Sequence, residues 1–442
     1  MPEILFEYRM NATTWGYVSS LLIIGIYFKF HRFWSVRNLD LIALMAFAPG
    51  FLLIAHHGHE PAGYLWLFVL GGFFLVRLLL DPVMVRRPLL EPNLSAGGLT
   101  FTCFALVLFL LANVITKPAV EGGHRTVERW EDAVYGPPSD NPDHVVQHGP
   151  GYPPFFALAD LSNRPSTSPV AAAAEPSRQR LLGNVAARAT AILGHLAILA
   201  GLVLIGYRHF GSARTGVAAA SLYLLLPYTA EFTGRIDHVI PGALLVWAVV
   251  AYRRPLAAGM LVGLAAGAIY YPLFLLPLWC GFYWRRGLFR FLIGVAGVLA
   301  ILTASLLWTS GDLHAFAGQV QKMYGVTTLA LTHAEGFWRL HEPAYRLPVM
   351  AVFLVLSMSL ALWPAQKNLG TLLSCSAAVL LGTQFWQAYY AGIYLDWYLP
   401  LLILTIFRPN IEDRMASTAV REVRLFRNRG RWPALWHRVK TS

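Results

Sequence analysis

The chain has 442 residues, of which 56% are hydrophobic and 13% charged, with a formal net charge of +12. A soluble domain carries about 25% charged residues, so this composition, with a mean hydropathy of +0.52, excludes an ordinary soluble globular protein. The positive charge does not imply nucleic acid. From Arg408 onward nine Lys or Arg stand against three Asp or Glu, and the other basic residues sit beside apolar runs, as cytoplasmic membrane anchors do.

Several apolar runs approach or exceed the ~20 residues that cross ~30 Å of hydrocarbon. They predict spans near 13–30, 39–55, 62–80, 96–116, 183–206, 213–230, 239–251, 256–270, 272–284, 288–308, 346–363, 369–386 and 388–407. The runs lack the alternation of apolar and polar residues that β-barrel strands show. The expected fold is therefore an all-α polytopic membrane protein with about 13 (12–13) transmembrane helices and a large extracytoplasmic loop. Glu3, Glu7 and Arg9 precede the first run, so no basic n-region marks a cleaved signal peptide. Cys103, Cys280 and Cys375 lie in apolar runs, without the spacing of a disulfide framework or a metal site.

The run from Leu256 to Trp284 is too long for one untilted helix and too short for two full spans. Arg253-Arg254 precede it and Arg285-Arg286 follow it. A break at Tyr270-Tyr271-Pro272 puts both pairs on the cytoplasmic side, as the positive-inside rule prefers, and predicts a short hairpin.

With thirteen spans, Lys29, Arg32, Arg37, Arg86-Arg87, Arg208, Arg214, Lys367 and the C-terminal tail lie inside. The N-terminus then lies outside, together with His56 to Glu60, the loop 117–182, Glu231 to His238, the segment 309–345 and the approach to Asp396. The expected organisation is an N-terminal set of spans (1–116), the loop (117–182), central spans with a hairpin (183–308), a second external segment (309–345), C-terminal spans (346–407) and a basic cytoplasmic tail (408–442). The expected location is the inner or plasma membrane.

The loop has two parts. Glu121 to Pro154 is dense in ionisable and aromatic residues, and Asn163 to Gln179 reads as a Ser/Pro/Ala-rich flexible connector. Between them, Pro154 to Leu161 fits a re-entrant or interfacial helix opened by a double proline. Tyr135-Gly-Pro-Pro and His148-Gly-Pro-Gly-Tyr152-Pro-Pro form a defined loop, because proline fixes φ and glycine permits unusual φ. They hold Tyr135, His148 and Tyr152 near the membrane surface, where aromatic anchors also belong. The acids Glu121, Glu128, Glu131, Asp132, Asp140 and Asp143 include candidates for a general base and are equally what a solvated surface carries.

Further along, Gly234-Arg-Ile-Asp-His238 offers Arg235 as a phosphate ligand and Asp237 and His238 as groups that orient a polar substrate. The segment after Trp308 adds Lys322 and Arg339 among histidines and aromatics, a mixture suited to phosphate and sugar. His56-His57-Gly-His59-Glu60 is the one metal-like cluster, confined to a short turn.

The region from about Lys117 to Arg290 resembles glycosyltransferase family 87, multi-span type-C mannosyltransferases that use polyprenyl-phosphate sugars. The similarity is carried by Asp132-Ala-Val-Tyr135 followed by Gly151-Tyr-Pro-Pro154, by Gly234-Arg-Ile-Asp237 where the family often shows Gly-Gln-x-Asn, and by Gly263 to Pro277 followed by Arg285-Arg286. Departures accompany it: four spans precede the loop, and Tyr270-Tyr271-Pro272 stands where the family often has a lysine before proline. The resemblance implies a carboxylate base in the first large external loop, here Asp132 or Glu121, and a lipid-phosphate donor entering from the bilayer. The expected activity is transfer of a hexose such as mannose to a lipid-linked or extracytoplasmic acceptor, with Arg235, Lys322 and Arg339 offsetting charge on the leaving phosphate. No cofactor is implied, and membrane lipids and the polyprenyl-phosphate sugar are the expected partners. Two other classes remain open, an oligosaccharide ligase or polymerase and a transporter or lipid-carrier flippase. A transporter predicts ionisable residues facing each other inside the membrane. The sequence offers few: Arg77 and Arg188 near span ends, placed to snorkel, and His195, which reads as a satisfied core histidine.

Overall fold

The computed structural model of the protein describes residues 12–56, 58–84, 90–116, 169–309, 312–324, 336–388, 391–411 and 414–420, with only the backbone path for 169–187. Among these residues the fold is helical, and the only β-type pairing is an isolated bridge between Asn368 and Met415. In chain order the helices are α1 (Ala12–Tyr27), α2 (Val36–Met45), α3 (Phe47–Ala55), α4 (Glu60–Leu80), α5 (Ala96–Thr116), α6 (Pro169–Arg208), α7 (Ala213–Leu225) and α8 (Pro227–Glu231). Then come α9 (Ile236–Val250), α10 (Pro255–Ala268), α11 (Leu276–Tyr283), α12 (Leu288–Thr309), α13 (Leu313–Met323), α14 (Arg346–Ser359), α15 (Leu369–Thr383), α16 (Leu399–Phe407) and α17 (Ala416–Ala419).

Five helical stretches among the described residues are long and apolar enough to cross a membrane: Val36–Ala55, Glu60–Val83, Ala96–Ile115, Arg188–Arg208 and Leu288–Leu307. Shorter apolar helices of 10–17 residues accompany them. Their outward faces are apolar. Phe101, Phe104, Leu108 and Phe109 on α5, Phe289, Ile293 and Ile301 on α12, and Val352 and Val355 on α14 are all exposed. So large an apolar surface is disfavoured in water and is what lipid tails cover. This is the surface of a multi-pass helical membrane protein.

The centre of the body is α15 and α16, every residue of which is buried. Around them, helices approach closely at several glycines. A Cβ on Gly259 would lie 2.1 Å from Phe291 O, and one on Gly294 would lie 2.4 Å from Leu256 O. Gly259 and Gly263 thus form a small-residue stripe that lets α10 lie against α12 backbone to backbone.

The run 256–284 is broken at Ile269, where the backbone turns extended before a 3-10 turn at Tyr271–Leu275. Its two ends lie together: the Tyr283 hydroxyl donates to Tyr252 O at 2.6 Å, and Gly287 sits against Pro255. The run therefore folds back on itself.

Two expectations need correction. The segment 388–407 is not one helix: only Leu399–Phe407 is α-helical, preceded by turns and a 3-10 turn at Leu395–Trp397. The side chain of Gln384 holds this irregular stretch, its Oε1 accepting from the amides of Gly392 and Tyr394. Gly392, at φ 91°, supplies a backbone conformation that other residues rarely adopt. The connector expected at 163–179 is helical from Pro169, because α6 begins there. A proline at the start and the alanines that follow favour that helix.

Candidate functional site

Two prolines open a polar cluster at the beginning of α9. Pro227 has no N–H to give to Tyr223 O, four residues back, and the Thr229 hydroxyl donates to that carbonyl instead at 2.7 Å. Pro241, inside α9, likewise leaves Asp237 O without its helical donor. The Trp397 indole N–H fills the place, donating to Asp237 O at 2.9 Å. One residue beyond Pro241, a Cβ on Gly242 would fall 2.3 Å from Asp396 O. Pro241 and Gly242 together thus dock the irregular segment 391–398 onto the head of α9, supplying the bond it makes and the space it fills.

Arg235 immediately precedes α9, and Asp237 lies in its first turn, where a carboxylate complements the helix dipole. Arg235 Nη2 is 3.4 Å from Asp237 Oδ2, with Asp237 the more buried partner. The guanidinium also lies 5.9 Å from the centre of the Phe232 ring, a distance at which a cation is attracted to the ring face. Burial opposes the Arg235 charge, but Asp237, Tyr394 and Tyr228 together more than offset this, so the guanidinium is held more firmly charged than an ordinary arginine. His238 is fully buried. Its Nδ1 is hydrogen-bonded to the Tyr228 hydroxyl, and its Nε2 lies 3.7 Å from Asp237 Oδ2.

An aromatic wall encloses these groups. Phe232 stacks on His238 at 5.3 Å, Tyr394 lies 4.6 Å from the same imidazole, and Trp397 stacks on Tyr394 at 4.5 Å. Tyr271, from the break after α10, continues the wall at 5.1 Å from Trp397.

Beneath this wall lies Asp396, fully buried. The hydroxyls of Tyr223 and Tyr228 act on its carboxylate electrostatically. Tyr223 is the side chain placed to give that carboxylate a hydrogen bond, although among the described residues neither oxygen makes a well-formed one. Tyr223 is bonded instead to His195 Nδ1 at 2.9 Å, while His195 Nε2 meets Thr233 O at 3.1 Å. Both nitrogens of His195 are thus satisfied, as its place in an apolar run implied.

The structure therefore brings Arg235, Asp237 and His238 together. Arg339 is exposed on the 3-10 turn Gly336–Leu340, which Trp338 anchors by donating to Phe385 O and Phe337 by stacking on Phe68. Lys322 is on α13, described only in its backbone. Glu121, Asp132, Tyr135, His148 and Tyr152 lie outside the described residues. Among the described residues no three His, Cys, Asp or Glu side chains gather as metal ligands would; His57 of the histidine turn is not among them. Sequence reasoning missed Tyr228, Tyr394, Trp397 and Asp396 as members of the cluster. The available signal was Pro241-Gly242 one turn after Asp237-His238, marking a helix head that expects an external donor and a close neighbour.

A second polar group lies at the other end of α16. Arg77 binds Asp40 through two nitrogens, each at 3.0 Å, and Asp81 through a third at 3.0 Å. Arg408, the residue after α16, binds the second oxygen of Asp81 through Nε and Nη2. Arg77 thus pairs inside the protein rather than reaching out of a span end. Compared with protein-family models, curated proteins and solved structures, the chain matches none of them.

Proposed function

We propose that the protein is a multi-pass membrane transferase that moves a hexose from a polyprenyl-phosphate donor to a lipid-linked or extracytoplasmic acceptor. The observation that carries this reading is the joining of Arg235, Asp237 and His238 beneath an aromatic wall at the head of α9. A cation held charged suits the donor phosphate, a carboxylate–imidazole pair suits a hydroxyl acceptor, and stacked aromatic rings suit sugar and prenyl groups. In the proposed step the acceptor oxygen bonds to the anomeric carbon as the bond from that carbon to the phosphate oxygen breaks. The electron pair leaves with the phosphate, which Arg235 stabilises with Lys322 and Arg339. The acceptor proton passes to a carboxylate, Asp237 of the cluster or Asp132 or Glu121 of the loop 117–182. Single displacement inverts the anomeric configuration. In this reading thirteen spans put the head of α9 on the extracytoplasmic side of the inner or plasma membrane, with the N-terminus outside and the basic tail in the cytoplasm.

Membranes containing the protein, given a polyprenyl-phosphate hexose labelled in the lipid, are expected to release polyprenyl phosphate. Arg235→Ala should lower that release by about 100-fold, the scale on which a single stabiliser of developing negative charge acts. Asp237→Asn, Asp132→Asn and Glu121→Gln separate the three carboxylates, since the true base alone should abolish release. Release that is independent of the protein would end the transferase reading.

A second reading, a proton-coupled carrier, is favoured by one observation. Asp396 sits with His195 and Tyr223 inside the helical body, where ionisable groups are costly and mark proton or substrate paths.

A further inference from the structure

Asp396 belongs to neither the Arg235 cluster's bonding nor the ion network at the other end of α16. It is fully buried, its carboxylate makes no well-formed hydrogen bond among the described residues, with Tyr223 the side chain placed to give one, and no ion pair among them joins it to a cation. A bare carboxylate in that position is strongly disfavoured and lowers its cost by taking up a cation. The groups around it are suited to a proton. Facing it are Tyr223 of α7 and Tyr228 of α8. Behind Tyr223 stands His195 of α6, and behind Tyr228 stand His238 and then Asp237 of α9. Tyr394 lies on its own segment, against His238. Each link is a group that can both give and take a proton, and the Tyr228 hydroxyl also meets the Asp396 backbone. The series ends at Asp237 and at Arg235, whose side chain is 32% exposed.

We propose that Asp396 is a proton-binding site within the helical body, exchanging its proton with the solvent at the head of α9. The bound form is the neutral carboxyl, and the proton that leaves it is taken up by that solvent, so charge and protons balance. The site stands whether or not the protein transfers sugars, because it uses none of the donor chemistry.

The test is infrared spectroscopy of the purified full-length protein in lipid nanodiscs at neutral pH, in H2O and after transfer to D2O. Wild type should show the C=O stretch of a buried, protonated carboxyl. Asp396→Asn should lose that band with thermal unfolding unchanged, and Asp396→Glu should restore it at a shifted position. A wild-type spectrum matching that of Asp396→Asn would overturn the proposal. So would a carboxyl band that vanishes when sodium chloride replaces choline chloride at fixed pH, since the site would then hold sodium.

Discussion

The two polar layers at the ends of α16 are built on opposite plans. At its C-terminal end, Asp40, Arg77, Asp81 and Arg408 form a closed set in which each carboxylate meets guanidinium nitrogens within hydrogen-bond distance, 3.0 Å for the Arg77 pairs. At its N-terminal end, Arg235 and Asp237 meet at 3.4 Å, His238 is shared between a phenol and a carboxylate, and Asp396 has no ion-pair partner among the described residues. Nine helical residues separate Trp397–Tyr398 from Arg408, about 14 Å at 1.5 Å per residue. A closed network of charges fixes one arrangement of helices. An incomplete one, held in place by prolines and a tryptophan, is arranged for something that comes and goes. The difference assigns scaffold to one layer and chemistry to the other.

The strongest way to break the scaffold is Arg77→Met. It removes the guanidinium that Asp40 and Asp81 share, and should cost about 3–5 kcal/mol, the scale for breaking a buried ion pair by removing one partner. Thermal unfolding in detergent measures it, and an unchanged midpoint would remove this layer's structural role. Trp397→Phe tests the docking of the other layer. It strips the donor from Asp237 O and should destabilise by about 1–3 kcal/mol, as for other buried groups left unsatisfied. Pro241→Ala returns a helical N–H to that carbonyl, so the double variant should lose less than Trp397→Phe alone. Equal losses in the two would mean that Pro241 does not explain the tryptophan.

Gly242→Ala sharpens the same contact from the steric side. The new methyl meets Asp396 O, a backbone atom that cannot rotate away, and overpacking of this kind costs about 1–3 kcal/mol. The smallest effect concerns pH. His209, just past α6, is pushed down to about 4 by burial, with its Nε2 on Val250 O. Because its folded value lies below its ordinary one, its stability contribution is complete above pH 6.5 and is lost as pH falls towards 4. Wild type should therefore lose stability over that interval more steeply than His209→Gln, as midpoints measured across pH will show.

Local features were legible in the sequence and distant pairings were not. Arg235, Asp237 and His238 stand within four residues, so their joint placement at a helix head could be read from the chain. The break near Tyr270-Tyr271-Pro272 was legible for a similar reason, since proline acts on its own helix. The ion network was hidden because only Arg77 and Asp81 are neighbours in sequence, while Asp40 and Arg408 come from other runs, Asp81 and Arg408 being 327 positions apart. Asp396 was hidden because its importance lies in having no ion-pair partner among the described residues, which depends on what α7, α8 and α9 bring near it. The stretch before α16 is apolar enough to read as a helix. It is irregular because Gln384 and the Asp237 carbonyl provide better partners for its amides and its indole than a helix would.

The most direct measurement compares Arg235→Ala with Arg408→Ala, recording the midpoint of thermal unfolding and the release of polyprenyl phosphate per folded molecule. The account predicts opposite outcomes: Arg235→Ala keeps the midpoint and loses release, while Arg408→Ala lowers the midpoint and keeps release in the molecules that remain folded. Release that survives Arg235→Ala, or that falls with Arg408→Ala in fully folded protein, would contradict the division of the molecule into a closed scaffold and an open site.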